Sequence, residues 1–309
     1  MELEGKHILS TKQFDPESLT ALFELTTKME VILEKGESDI LSDKILAVLF
    51  FEPSTRTRFS FESAMQRLGG KVISNAQMME TSSIQKLESL EDTGKVISQM
   101  VDVVVMRHPE SGSVTKLSQK SKVPVINAGD GSSEHPTQGL LDLYTIWKEK
   151  GGLDGLTVGI IGDLKYGRVP HSQCDLLRHF DVKFVFVSPE ELALPREIID
   201  ELRSRHREIR VSENLEGTIP DMDVISMTRI QKERFESEKE YEKYAGMYIL
   251  DEKLMAKAKE DAIVIHPLPR VDEIDVEVDK DKRAKYFEQV KNGVAIRMAL
   301  LSMVLGVEI

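Results

Sequence analysis

The chain holds one cysteine, Cys174, among its 309 residues. That excludes an internal disulfide and a thiolate-rich metal site, and it suits a reducing, cytoplasmic setting. No apolar run approaches the length of a membrane span. The opening residues, Met1-Glu2-Leu3-Glu4-Gly5-Lys6, lack the basic-then-apolar pattern of a signal peptide. Positive charge is in deficit: the net charge is −12, which argues against nucleic acid or an anionic membrane as partner. Any anion bound here must be held by a local cluster of cations. The sequence also lacks a Ser-His-Asp spacing, a reactive cysteine and any His/Asp/Glu cluster with metal-ligand spacing. Covalent and metal catalysis are therefore not suggested, and no cofactor is expected. Gly162-Asp163-Leu164 falls short of the G-x-G-x-x-G fingerprint, so the dinucleotide signal is weak. There is no short repeat and no low-complexity tract.

What is present is ordinary for a soluble globular chain, with 40% hydrophobic and 30% charged residues. The length accommodates two domains. The most informative stretch is Phe50-Phe51-Glu52-Pro53-Ser54-Thr55-Arg56-Thr57-Arg58. An apolar run, Ile45 to Phe51, leads in. An amphipathic pattern, Phe59, Phe61, Ala64, Met65 and Leu68, leads out and stops at Gly69-Gly70. That reads as strand, tight loop, helix. Such a loop presents hydroxyls, guanidinium groups and the first N–H groups of a helix, whose dipole favours an anion there. Ser and Thr before a helix usually only cap it. Two arginines beside the hydroxyls shift the reading to a phosphate or similar oxyanion site, since a guanidinium fork matches two phosphate oxygens.

The rest of the chain alternates strand and helix. A helix runs through Leu22, Leu25, Met29 and Leu33. Strands are expected over 71–74, 101–106 and 123–128, an exposed loop over 79–86, and helices over 87–100 and from 135 through Trp147. Gly151-Gly152 and Asp154-Gly155 form the best linker, after which the pattern restarts. Strands are expected over 157–161, 184–187, 209–211, 224–228 and 262–265, with helices over 172–180, 196–206, 252–259 and about 286–305. Two such runs predict an α/β protein of two doubly wound parallel-sheet domains. Ligands of open parallel sheets bind beyond the carboxyl ends of strands. Polar loops fall at those ends: 52–58, 107–109, 129–138, 162–168, 228–231 and 266–270. They supply Arg56, Arg107, Arg168, Arg229, His135, Thr57 and Gln138. These are cations and neutral donors, suited to anionic substrates and a transition state that gains negative charge. Bland alternatives exist for each. His135 before Pro136 could serve only as a helix-start residue, and Arg107 could be a surface arginine pairing with acids.

Taken together, the motifs resemble the carbamoyltransferase family, and within it the catalytic chains of aspartate carbamoyltransferase, along the whole sequence. The matching segments are Phe51-Glu52-Pro53-Ser54-Thr55-Arg56-Thr57-Arg58, Arg107-His108-Pro109, Gly129-Asp130-Gly131-Ser132, His135-Pro136-Thr137-Gln138, Gly162-Asp163-Leu164-Lys165-Tyr166-Gly167-Arg168, Thr228-Arg229-Ile230-Gln231-Lys232-Glu233-Arg234 and His266-Pro267-Leu268-Pro269-Arg270. The ornithine enzymes carry a cysteine after the histidine of the last motif; Pro267 stands there in this chain. The resemblance implies transfer of the carbamoyl group of carbamoyl phosphate to L-aspartate, an early step of pyrimidine synthesis. It implies a carbamoyl-phosphate-binding domain over 1–150, with a C-terminal helix (287–309) packing back on it. An aspartate-binding domain over 151–286 would follow, with the active site between the two. Ser54, Thr55, Arg56 and Thr57 would hold the phosphate. Thr57, Arg107 and His135 would donate to the carbonyl oxygen. Gln138 and the Pro267-Leu268-Pro269 backbone would receive the carbamoyl amide. Arg168, Arg229 and Gln231 would hold the aspartate carboxylates. A homotrimer with shared sites is implied, in which Ser82 and Lys86 reach in from the neighbouring chain, Lys86 towards the aspartate. Regulatory chains and nucleotide control stay open.

Two positions depart from the family pattern. Leu87 stands where a glycine is usual, and Val169-Pro170 where Thr-Val is common. The lysine and glutamate flanking Leu87 are intact, which favours a leucine that stiffens the loop and packs across the subunit boundary over one strained at positive φ. Two other readings of the whole chain remain: a carbamoyltransferase with another acceptor such as ornithine, and a non-catalytic phosphate-binding relative. Arg168 and Arg229 suit a dicarboxylate, and the intact set of cations argues for catalysis.

Overall fold

A computed structural model describes residues 3–307 except 37, 132–133, 206–207, 232–234 and 236. Two compact units form, residues 1–141 with 290–309 and residues 142–289.

The first unit is built on four parallel strands, β1 (Ile45–Phe50), β2 (Lys71–Asn75), β3 (Val103–His108) and β4 (Val125–Asp130), in the order β2-β1-β3-β4. The central strands are apolar on both faces because helices cover both. Val103 to Met106 are fully buried, whereas edge-strand Ile73 is half exposed. Among the described residues its helices are α1 (Pro16–Lys35), α2 (Thr55–Arg67), α3 (Met78–Thr81), α4 (Leu90–Ile97), α5 (Ser113–Ser118) and the start of α6 (Pro136–Lys150), which from Asp142 on belongs to the second unit. The second unit carries five parallel strands, β5 (Thr157–Ile161), β6 (Lys183–Val187), β7 (Ile209–Ser212), β8 (Val224–Met227) and β9 (Ile263–Ile265), in the order β7-β6-β5-β8-β9. Its helices are α7 (Arg168–Leu177), α8 (Arg196–Arg203), α9 (Glu238–Tyr241) and α10 (Glu252–Met255), and the chain ends with α11 (Glu288–Val304). Among the described residues no helix is long and apolar enough to cross a membrane.

Both sheets are doubly wound, with the winding reversed between β1 and β3 and between β5 and β8. All nine described strands lie where the apolar runs predict them. Several helices differ. The expected loop 79–86 contains α3 and a 3-10 turn, Ser83–Lys86. The helix expected from Leu87 starts only at Leu90, where Ser89 accepts from the Asp92 N–H at 3.1 Å. Leu87 itself sits at φ +66 and is 94% exposed. The preference for an unstrained leucine is therefore corrected: the position takes the left-handed conformation that suits glycine. Helix α7 starts at Arg168 instead of 172, so that arginine opens a helix and does not sit in a loop. Pro170 then occupies the first turn, where a missing N–H leaves no intrahelical bond unmade. The expected 252–259 helix stops at Met255, and α5 was not foreseen.

Helix α4 lies against α5 so closely that a Cβ on Gly94 would stand 2.2 Å from the Leu117 carbonyl oxygen. Alanine is a better helix former than glycine by about 1 kcal/mol, but backbone overlap costs about 1–3 kcal/mol. Gly94→Ala is expected to lower stability by up to about 2 kcal/mol, read as a lower urea midpoint. A raised midpoint would show that the two helices can part at no cost.

Candidate active site

Strand pairing alone collects the loops of the first unit. Phe50 is in register with Arg107 and His108 with Asp130, and the Phe51 N–H donates to the Arg107 carbonyl at 2.9 Å. Loops 51–54 and 109–112 thus leave the same edge, at the reversal between β1 and β3, and Gly131 follows β4 beside them. Ser54 occupies the N-cap position of α2 with extended backbone, yet its side chain makes no capping hydrogen bond. The capping explanation for that hydroxyl fails, and the α2 N-terminus stays open to an anion. Thr55 and Arg56 are exposed, whereas Thr57 is buried and its hydroxyl lies 3.5 Å from His135 Nε2. His135 precedes α6, and Gln138, also buried, follows one turn on.

Arg107 is largely buried, and its Nε donates to Glu52 Oε1 at 2.6 Å. Burial pushes its pKa down, Glu52 opposes that, and the nearby Arg56 charge pushes it down further. Two guanidinium groups held near one another at a helix N-terminus form a field that an oxyanion relieves. The pairing of Arg107 with an acid, raised as a bland alternative, is real but lies beneath the sheet's edge, not out on the surface. Asp130 holds the 109–113 turn: its carboxylate accepts from the Gly112 and Ser113 N–H groups at 2.9 and 3.2 Å. Gly131 is at φ +57, with a Cβ position 2.3 Å from Ser111 Oγ, so the turn demands glycine. The adjoining Ser132 lies outside the described residues.

In the second unit the Thr228 N–H donates to the Ile161 carbonyl at 2.8 Å, laying loop 228–231 beside loop 162–167. Gly162, at φ +120, is 2.2 Å from the Thr228 oxygen by its Cβ position, so only glycine allows this approach. Asp163 closes its own loop by accepting the Tyr166 N–H at 2.9 Å. Arg168 and Arg229 are both half-buried at that edge, with Gln231 beyond; Lys232, Glu233 and Arg234 lie outside the described residues. β9 pairs with β8, which adds loop 266–270 to the same edge. Leu268 there has φ +53, and the Leu268–Pro269 peptide is cis.

Residues not singled out from the sequence, Glu273, Asp279 and Arg297 among them, support these loops. Glu273 accepts from His266 Nε2 at 2.7 Å and from the Val271 and Asp272 N–H groups at 3.0 and 3.1 Å. Burial is the largest single influence and raises its pKa, but the hydrogen bond and charge of His266 and the backbone N–H donors together outweigh it, and the net shift is downward. His266 Nδ1 then accepts the Leu268 N–H at 2.8 Å, fixing the Pro267-Leu268 backbone. Arg270 is locked onto Asp279 and lies over the Tyr286 ring. In the first unit Arg297 of α11, 3% exposed, donates to Thr137 Oγ1 at 3.3 Å and covers the Phe61 ring at 5.0 Å, bracing α2 and α6 together. Ser82 donates to the Met78 carbonyl at 2.6 Å. Lys86 is exposed, and its ammonium makes no hydrogen bond or ion pair among the described residues.

The model of the aspartate/ornithine carbamoyltransferase carbamoyl-P binding domain matches residues 6–148, and that of the Asp/Orn binding domain matches 154–304. The chain belongs to the aspartate/ornithine carbamoyltransferase family. It is 51% identical to the aspartate carbamoyltransferase catalytic subunit of Thermococcus kodakarensis, over 99% of each. The catalytic subunit of aspartate transcarbamoylase from M. jannaschii superposes with a TM-score of 0.91 at 46% identity, covering 97% of this chain and 98% of that one. The Trypanosoma cruzi enzyme, solved with carbamoyl phosphate and aspartate, gives 0.92 at 40% identity over 98% of each chain. In this carbamoyltransferase the cations singled out by the sequence motifs stand at the strand ends just described.

Burial holds the pKa of His108, and that of His7, below the ordinary value of 6.5. Between the depressed folded value and about 6.5 the unfolded chain binds more protons, so stability falls as pH falls through that window. Urea midpoints are expected to drop as pH falls below about 6.5, with a shallower slope in His108→Asn, which keeps an acceptor for the Glu110 N–H. An unchanged slope would show that His108 is not held neutral.

Proposed function

We infer that this carbamoyltransferase uses L-aspartate as acceptor, giving N-carbamoyl-L-aspartate and phosphate in the early part of pyrimidine synthesis. The observation that carries it is the full-length likeness to aspartate enzymes, at 51% identity, in a chain with paired arginines, Arg168 and Arg229, at the second sheet's reversal. In this reading Ser54, Thr55, Arg56 and Thr57 hold the phosphate at the open α2 N-terminus. Thr57, Arg107 and His135 donate to the carbonyl oxygen as the amine attacks and charge grows there; fixed donors favour that oxyanion over the ground state. Gln138 and the Pro267-Leu268-Pro269 backbone, set by His266 and Glu273, receive the carbamoyl amide. Arg168, Arg229 and Gln231 hold the aspartate carboxylates. The departing phosphate takes the amine proton, so no protein base is required. Binding both substrates together removes the entropy cost of their encounter.

Carbamoyl phosphate turnover measured with aspartate, with ornithine and with no acceptor tests this. Turnover is expected only with aspartate, and Arg56→Ala should lose about 3 kcal/mol or more of transition-state stabilisation in kcat/KM while still folding. Turnover with ornithine only, or a near-normal Arg56→Ala enzyme, would sink the assignment.

A homotrimeric, cytoplasmic enzyme with shared sites is part of the same proposal. Lys86 and Leu87 support it: both are exposed, on a short turn where the ammonium has no partner among the described residues of its own chain. Mixing inactive Lys86→Ala and Arg56→Ala proteins under subunit exchange should regenerate activity, because some sites then combine one chain's Lys86 with another's Arg56. Proven exchange with activity at background would remove Ser82 and Lys86 from the site.

A further inference from the structure

Inside the second unit a line of buried hydrogen bonds runs between two of the proposed binding elements. Ser226 Oγ, on β8, donates to Gln173 Oε1 at 3.0 Å, and Gln173 Nε2 donates to Asp142 Oδ2 at 2.7 Å. Gln289 Nε2 donates to the other oxygen, Asp142 Oδ1, at 2.5 Å. Gln289 Oε1 accepts the backbone N–H of His266 at 3.0 Å. Ser226 and Asp142 are wholly buried; Gln173, Gln289 and His266 are no more than 2% exposed.

The direction of this line follows from one end. The His266 N–H can only donate, so Gln289 must turn its oxygen there and its NH2 to Asp142. Asp142 therefore accepts on both oxygens. Gln173, which meets it with NH2, presents its carbonyl to the Ser226 hydroxyl. Gln173 belongs to α7, whose first residue is Arg168. His266 opens the loop that carries the Pro267 and Leu268 carbonyls. A single carboxylate thus fixes the acceptor-binding helix relative to the loop that receives the carbamoyl amide.

We propose that Asp142 is a positioning residue for carbamoyl transfer, setting α7 and loop 266–270 at the separation the reaction needs. This rests on the roles given above to Arg168 and to the 266–268 backbone. Reacting groups held slightly out of line lose rate steeply even when each substrate still binds.

Polarity supplies the test. Asp142→Asn keeps the shape but turns an NH2 towards one of two amide NH2 groups. Adding Gln173→Glu restores the donor–acceptor matches along the line, since a carboxylate at position 173 accepts both from the new amide at position 142 and from the Ser226 hydroxyl. The native protein is assayed first with aspartate; no turnover there would defeat the proposed function itself. Given native activity, Asp142→Asn should lose about tenfold or more in kcat at saturating substrates. Its affinity for inorganic phosphate, by calorimetry, should stay within about twofold, because the phosphate loop is not in the network. The double variant should recover to within about fivefold of native kcat. A single variant with native kcat, a loss of phosphate affinity matching the loss of rate, or no recovery in the double variant overturns the proposal. Should Asp142→Asn fail to fold, the double variant decides alone: folding with recovered kcat supports the proposal, and failure of either overturns it.

Discussion

A parallel sheet that reverses its winding leaves one place uncovered by helices, just beyond the carboxyl ends of the two strands where the reversal occurs. Everything functional in this chain depends on that constraint. β1 and β3 create the place in one unit, β5 and β8 in the other. The loops that leave these strands have no choice but to converge, and backbone bonds such as Phe51 to Arg107 and Thr228 to Ile161 hold them side by side. A strongly acidic chain can thereby concentrate its few placed arginines where helix N-termini already favour anions.

Holding cations there requires support from groups that never touch a substrate. Glu52 offsets part of the burial cost of Arg107, Glu273 orients His266, and Arg297 braces the helices that carry Thr57 and His135. Each makes a hydrogen bond to the group it supports, which offsets part of the cost of taking it from water. Ser54, proposed to hold the phosphate, differs: it stands at an N-cap with its hydroxyl uncommitted to the helix.

Much of this was legible in the sequence, and most of what was not shares one cause. Strands such as Val103–His108 and Thr157–Ile161 announce themselves through short apolar, β-branched runs, and their ends carry the polar motifs. Helix α5 was missed because its start is held by Asp130, on another strand, and not by a local cap. Glu273, Asp142 and Arg297 gave no signal for the same reason: nothing in their own neighbourhood names His266, Gln289 or Thr137 as partners. The left-handed backbone at Leu87 is concealed by the residue itself, since leucine is read as helical or extended.

The Glu52–Arg107 pair bears on how the enzyme lets go. Phosphate is part of the donor on arrival and a free product on departure, and unopposed arginines would grip both states alike. A carboxylate already bound to Arg107 competes for its charge throughout the cycle. In the proposed reaction it would weaken the hold on any anion that Arg107 meets, the free phosphate included. The acid next to the arginine would then bear on release as well as on folding, since phosphate would leave a site whose positive charge is already partly offset.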